Sequence, residues 1–171
     1  TLAQERHVKP GRHALVFVDA VILAHTNYSE YNKFWNEPGN EAIRDRTRVV
    51  EWRYNLSWPD EEKVYRLMIP NPQDYDMDPW ALKFASIVAV ASRFSAPQDS
   101  EYPAQVRLRL YAGEPVHGLS KYALAMVKKK FSEVDGKHGI SPRWMVDQIS
   151  LLQVRKGYVA TPDLIQSLRD N

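Results

Sequence analysis

Side chains at three places in this sequence stand where they could act on a phosphate. The first is Asn27, which closes the stretch "ILAHTN" at residues 22–27. An amide at the end of a buried strand must find partners or face a ligand. Strand C-termini in open α/β sheets face the ligand crevice, where an amide can orient a water or a phosphate oxygen. The alternative is that Asn27 caps the following helix, a position that asparagine favours. The second is the pair Arg44 and Arg46 in "NEAIRDRT", residues 40–47, just ahead of Val49 and Val50. A guanidinium projecting from a subunit edge can stabilise a transferring phosphate in trans, which is worth roughly 10³–10⁵ in rate. The alternative is a solvated arginine paired with Asp45 or Glu41, and such surface pairs contribute little. The third is Arg143, at the second position of a helix opened by Ser141–Pro142. A cation against the positive end of a helix dipole is unfavourable by roughly 0.3–1 kcal/mol, and an adjacent phosphate would reverse that sign. An intrahelical pair with Asp147 would instead offset part of the cost.

Other reactive residue types form no constellation. His7, His13, His25, His117 and His138 show neither HExxH nor paired spacing, so no metal site is expected and His25 reads as packed or hydrogen-bonded. "VFVD" at residues 16–19 looks like a strand ending in a Mg2+-binding aspartate, but Ala20 stands where a glutamate base would be needed. Asp19 therefore reads as a turn or edge residue. The run Lys128–Lys130 falls in the last turn of a helix, where cations complement the dipole on a solvated face. No serine nucleophile elbow, Gly-rich phosphate loop or kinase HRD or DFG signature is present, so the chain alone is not expected to complete a catalytic site.

The elements that must carry these groups change character along the chain. Residues 14–24, "ALVFVDAVILA", predict a strand buried on both faces and centred on Val21 to Ala24. "YSEYNKFW" predicts a short helix that "EPGN" stops, and residues 48–54, "RVVEWRY", predict a second strand. Pro59 with Asp60, Glu61 and Glu62 starts a helix with Val64, Leu67 and Met68 as its apolar stripe. A longer helix opens at Asp78–Pro79, with Trp80, Phe84, Ile87, Val88, Ala91 and Phe94 along one face. "SAPQDSEYP" reads as a loop, and "AQVRLRLY" alternates as an exposed strand or extended arm able to add to a partner's sheet edge. Helices are predicted over residues 119–132, from Ser141–Pro142 through Leu152, and from Thr161–Pro162. The fold class is thus an α/β fragment followed by a mainly α part. Two strands buried on both faces need neighbours that this chain does not supply upstream, so a further N-terminal part is expected.

Composition narrows the partners. The 171 residues are 44% hydrophobic with a formal net charge of +2, enough for a core and too little charge to imply nucleic acid or a membrane surface. Neither a basic groove nor aromatics interleaved with the lysines can be traced, so nucleic acid is not expected. The absence of cysteine fits a reducing compartment and makes the cytoplasm the default location. No window reaches the roughly 18 apolar residues of a membrane span.

Taken in order, "VILAHTN", "NEAIRDRT", "RVVEWRYNLSWPDEEKVY" and "GISPRWMVDQI" resemble consecutive segments of the PrkA family, AAA+ ATPase-core proteins described as serine protein kinases. The resemblance runs from Ala14 to Leu152. It implies the last strands of a P-loop-type core over residues 1–56, a helical lid and C-terminal region over 57–158, and the start of a further helical segment over 159–171. It assigns Asn27 to the sensor-1 asparagine that polarises the attacking water and Arg46 to the arginine finger that reaches a neighbouring subunit. Arg143 becomes the sensor-2 arginine of the lid. It further implies ATP and Mg2+, held mainly by Walker A and Walker B segments that this chain lacks, a homo-oligomer, and protein substrates that are phosphorylated or remodelled. The rival reading makes the helical part a protein-interaction or regulatory module whose arginines only hold the fold.

Overall fold

In the computed structural model the chain divides into two units, Thr1–Glu51 and Trp52–Asn171. The structure describes residues 6–9, 11–12, 14–69, 76–95, 102–120, 122–131 and 133–170. Among these the chain is mainly helical, and the one sheet is a two-stranded antiparallel ribbon.

In the first unit that ribbon pairs β1 (His7–Val8) with β2 (Val16–Phe17). The buried strand predicted over residues 14–24 does not form. Only Val16 and Phe17 pair, while Val21 and Leu23 are 88% and 93% exposed. The second predicted strand, residues 48–54, is irregular as well. The reason is common to both: a strand satisfies its backbone only through a neighbour, and among the described residues only His7 and Val8 offer one. Asp19 lies at the ribbon's edge, 3.2 Å from Arg6.

Helix α1 (Tyr28–Asn36) forms where the aromatic spacing predicts it, with Tyr31 and Trp35 in ring contact at 5.3 Å. A 3₁₀ turn at Pro38–Asn40 ends it and leads into the single turn α2 (Glu41–Arg44). The Asn40 amide fastens that corner by donating to the Phe34 carbonyl at 3.0 Å.

The second unit contains α3 (Trp58–Met68), α4 (Ala81–Ser92), α5 (Ala104–Tyr111), α6 (Ala123–Phe131), α7 (Pro142–Lys156) and α8 (Thr161–Arg169). The predicted starts at Pro59, Ser141–Pro142 and Thr161–Pro162 hold, because each proline sits in a first helical turn, where no backbone donor is lost. One core joins Tyr65 and Ile69 to Leu82, Ala85 and Ala89 of α4, Met145 and Ile149 of α7, and Leu164 of α8. A short parallel bridge between Met77 and Val159 ties the approaches to α4 and α8. A second core gathers Tyr102, Leu110, Ala123, Val127 and Phe131.

The buried faces differ from those predicted. On α3 the inward residues are Glu61 and Tyr65, and Leu67 is 87% exposed. On α4 the inward stripe is Ala81, Leu82, Ala85, Ser86, Ala89 and Val90, with Trp80 outside. Small residues there let α3 and α7 approach α4 closely, which a stripe of large side chains would prevent. The α6 stripe is halved: Ala123 and Val127 are buried, Tyr122 and Met126 exposed.

"AQVRLRLY" is helix α5, not a strand or an arm. Its Ala, Gln, Leu and Arg are good helix formers, and Arg107 points inward rather than out. There its guanidinium donates to both Asp135 oxygens, at 2.9 and 3.1 Å, and to the Ser95 carbonyl at 2.7 Å. The Phe94 and Phe131 rings flank it at 4.7 and 4.4 Å. Two buried charges are tolerable only as such a bonded pair. The predicted loop "SAPQDSEYP" falls largely outside the described residues. No described helix is long and apolar enough to cross a membrane.

Candidate functional site

Asn27 is exposed at the entry to α1, where its Oδ1 accepts from the Glu30 backbone N–H at 2.9 Å. This is the capping geometry, with the extended backbone that an N-cap requires. The cap uses only the oxygen, and the Nδ2 donors make no bond among the described residues.

The two arginines that follow are treated differently by the fold. Arg44 is half-buried: its Nη1 donates to the Trp35 carbonyl and its guanidinium lies 5.8 Å from the Trp35 ring centroid. It is spent on holding α2 against α1. Arg46 is exposed in the turn after α2 and donates to the Ala42 carbonyl one turn back. Neither pairs with Asp45 or Glu41 among the described residues.

In the second unit, Ser141 caps α7 by accepting from the Trp144 N–H at 3.2 Å, and Pro142 takes the first helical position. Arg143 is the next residue and is exposed. The alternative, a pair with Asp147, is not formed, and the Arg143 side chain has no ion pair or hydrogen bond among the described residues. A cation therefore stands unbalanced at the positive end of a helix fifteen residues long. That arrangement fits a phosphate. No group of three or more His, Asp or Glu side chains placed to hold a metal ion is found among the described residues.

Behind this helix start lies a buried group that sequence reading missed. Arg93, at the C-terminal end of α4, forms a bidentate pair with Glu61 at 2.9 and 2.5 Å, both side chains being inaccessible. It also donates to the Asn55 carbonyl at 2.7 Å and twice to the Ile140 carbonyl, at 3.1 and 2.8 Å. The Tyr54 ring lies 4.9 Å from its guanidinium carbon. The Tyr65 hydroxyl is buried and has no hydrogen-bond partner among the described residues. Burial, with the Glu61 carboxylate adding to it, pushes that hydroxyl well above its ordinary pKa. In the sequence, Glu61 is one of three adjacent acidic residues that suit a helix start equally well. The one available signal was Tyr65, four residues on and able to share its face.

The comparisons with known proteins agree on a family. The model described as the PrkA AAA domain matches residues 1–101. The chain is 34% identical over 174 residues to the ATP-dependent protease PrkA of Bacillus subtilis (strain 168), an alignment covering 99% of this chain and 27% of that protein. It is 30% identical over 138 residues to the serine/threonine kinase YeaG of Escherichia coli (strain K12), covering 78% of this chain and 21% of that protein. The chain thus spans about a quarter of the length of these curated relatives. No solved structure matches it. With the family model covering 101 of its 171 residues, the chain belongs to the PrkA AAA-domain family.

Proposed function

We propose that this chain is the part of an ATP-hydrolysing AAA+ protein that senses the terminal phosphate, working within a homo-oligomer on protein substrates. The observation that carries the reading is Arg143: an exposed guanidinium, unpaired among the described residues, beside the N-terminal amides of α7, where an anion makes its position favourable. In this role Arg143 touches the phosphates in cis as part of a helical lid. Asn27 uses its unspent Nδ2 donors to orient the attacking water while its oxygen holds α1. Arg46, being exposed where Arg44 is committed to Trp35, is the better arginine finger for a neighbouring subunit's nucleotide. Mg2+, bound through other parts of the protein, supplies charge neutralisation at the phosphates.

One relative is named as an ATP-dependent protease and another as a serine/threonine kinase. A phosphate-handling site is the chemistry the two names have in common. Hydrolysis coupled to movement of a ring, with proteins phosphorylated or remodelled as the outcome, is the account we favour, and the cytoplasm is the location it implies. The interaction-module reading loses its main support, because the residues of its sheet-adding arm are helical.

The test is ATP hydrolysis and ATP binding by the intact protein carrying Arg46→Ala. Hydrolysis is expected to fall by about a hundredfold or more, as for a lost arginine finger, with binding kept. Unchanged hydrolysis would make Arg46 structural and overturn the reading.

A further inference from the structure

We infer that the Ser92–Arg93 corner at the end of α4 positions Arg143, by holding both backbone groups of Ile140 just ahead of the α7 cap. The inference rests on the phosphate-sensing reading of Arg143 and adds the group that aims it. Ile140 precedes the capping residue Ser141, and Arg143 follows three residues later. The Ile140 N–H donates to Ser92 Oγ at 2.9 Å, and the Ile140 carbonyl accepts from Arg93 Nε and Nη2. Displacing this one peptide unit therefore moves the start of α7 and the cation it carries.

The corner is built to a single geometry. All five guanidinium donors of Arg93 are used, two on Glu61, two on Ile140 and one on Asn55. A lysine, with three donors and no planar fork, cannot reproduce them. Gly139 completes the fit. Its φ is +121°, and a Cβ there would stand 2.8 Å from both Arg93 Cγ and the Ser92 carbonyl oxygen. The Arg93 carbonyl also accepts from Gly136 N at 2.9 Å, and Gly136 in turn accepts from Tyr54 N at 3.0 Å. The segments before α3 and α7 are thus tied to one residue.

A buried ion pair is weak evidence of net stabilisation, because desolvation offsets most of the attraction. What this pair uniquely supplies is a fixed direction for the Ile140 carbonyl. Arg107 makes the contrast: it is buried and paired to the same degree, yet its bonds end on Asp135 and Ser95, and its Nε has no partner among the described residues. No exposed cation at a helix start depends on it.

The experiment is a double-mutant cycle on ATP affinity in the intact protein, using Ser92→Ala, Arg143→Ala and both together, with melting temperature recorded for each. Ser92 is exposed and its truncation buries no charge, so the variant is expected to fold. Ser92→Ala should weaken ATP binding by about threefold to tenfold, the weight of one hydrogen bond. The double variant should bind no more weakly than Arg143→Ala alone. Additive losses, or wild-type affinity for Ser92→Ala beside a weakened Arg143→Ala, would overturn the inference and leave the reading of Arg143 standing. Wild-type affinity for Arg143→Ala would overturn that reading and this inference with it. Arg93→Lys should reproduce the Ser92→Ala loss or exceed it; if that variant does not fold, the Ser92 cycle decides alone.

Discussion

The two units use apolar residues in opposite ways. In the first, Phe17, Val21, Ile22 and Leu23 are all exposed, and no residue whose burial is described is buried. In the second, Leu82, Ala89, Met145, Ile149 and Leu164 are buried in one core, and two ion pairs are buried as well. At the apolar run of residues 14–24 the type of backbone bonding accounts for the difference. A helix closes its hydrogen bonds within itself and then needs only one face covered. A strand takes its bonds from a neighbour, so an apolar run without one stays open.

The sharpest way to break this contrast is to remove a buried charge partner. Asp135→Ala leaves the Arg107 guanidinium uncompensated between two aromatic rings. The unfolding free energy of the second unit should fall by about 3–5 kcal/mol, as measured by chemical denaturation. A loss below about 1 kcal/mol, the range of an exposed pair, would mean that the site is wetter than the packing shows.

A smaller effect is expected in the first unit, where α1 stands on local bonds. Asn27→Ala should cost α1 about 1 kcal/mol, read as faster hydrogen exchange of its first-turn amides, with the unfolding of the second unit unchanged. Asn27→Asp sharpens the comparison, since the carboxylate still accepts from Glu30 but has no N–H to offer. If the amide orients a water, this variant keeps α1 and loses hydrolysis in the intact protein. Wild-type hydrolysis would reduce Asn27 to a cap.

The smallest effect concerns pH. Burial, and secondarily the Asp135 carboxylate, push the Tyr111 hydroxyl from 10.0 up to about 12. Because the folded value is raised, the stability held by the neutral hydroxyl is complete below about pH 10 and is lost as pH rises through about 12. Tyr111→Phe should flatten this part of the alkaline unfolding profile. Tyrosinate absorbance appearing near pH 10 from every tyrosine would contradict the burial.

Much of the helical half was legible because its signals are local. Ser141–Pro142 announces α7, and the spacing of Tyr28, Tyr31 and Trp35 announces α1. The faces were less legible. The large side chains of α4 form the cleaner stripe on paper, yet the alanine stripe is buried, because close approach of neighbouring helices rewards small residues. Alternation in "VRLRL" imitated a strand period, and nothing local showed that Arg107 had a carboxylate waiting 28 residues later. At the candidate site the residue types and positions of Asn27, Arg46 and Arg143 were readable, whereas the choice between capping, pairing and exposure was not.

The sequence by itself determined where the proline- and serine-started helices begin, which residue types could meet a phosphate, and the family to which the chain belongs. These follow from caps, prolines and motifs that act within a few residues. Tertiary structure alone decided that Glu61 turns inward to Arg93, that Arg44 is committed to Trp35 while Arg46 is exposed, and that Arg143 is left without Asp147. Each of those outcomes is a competition among partners, and only the folded chain brings the competitors within reach of one another.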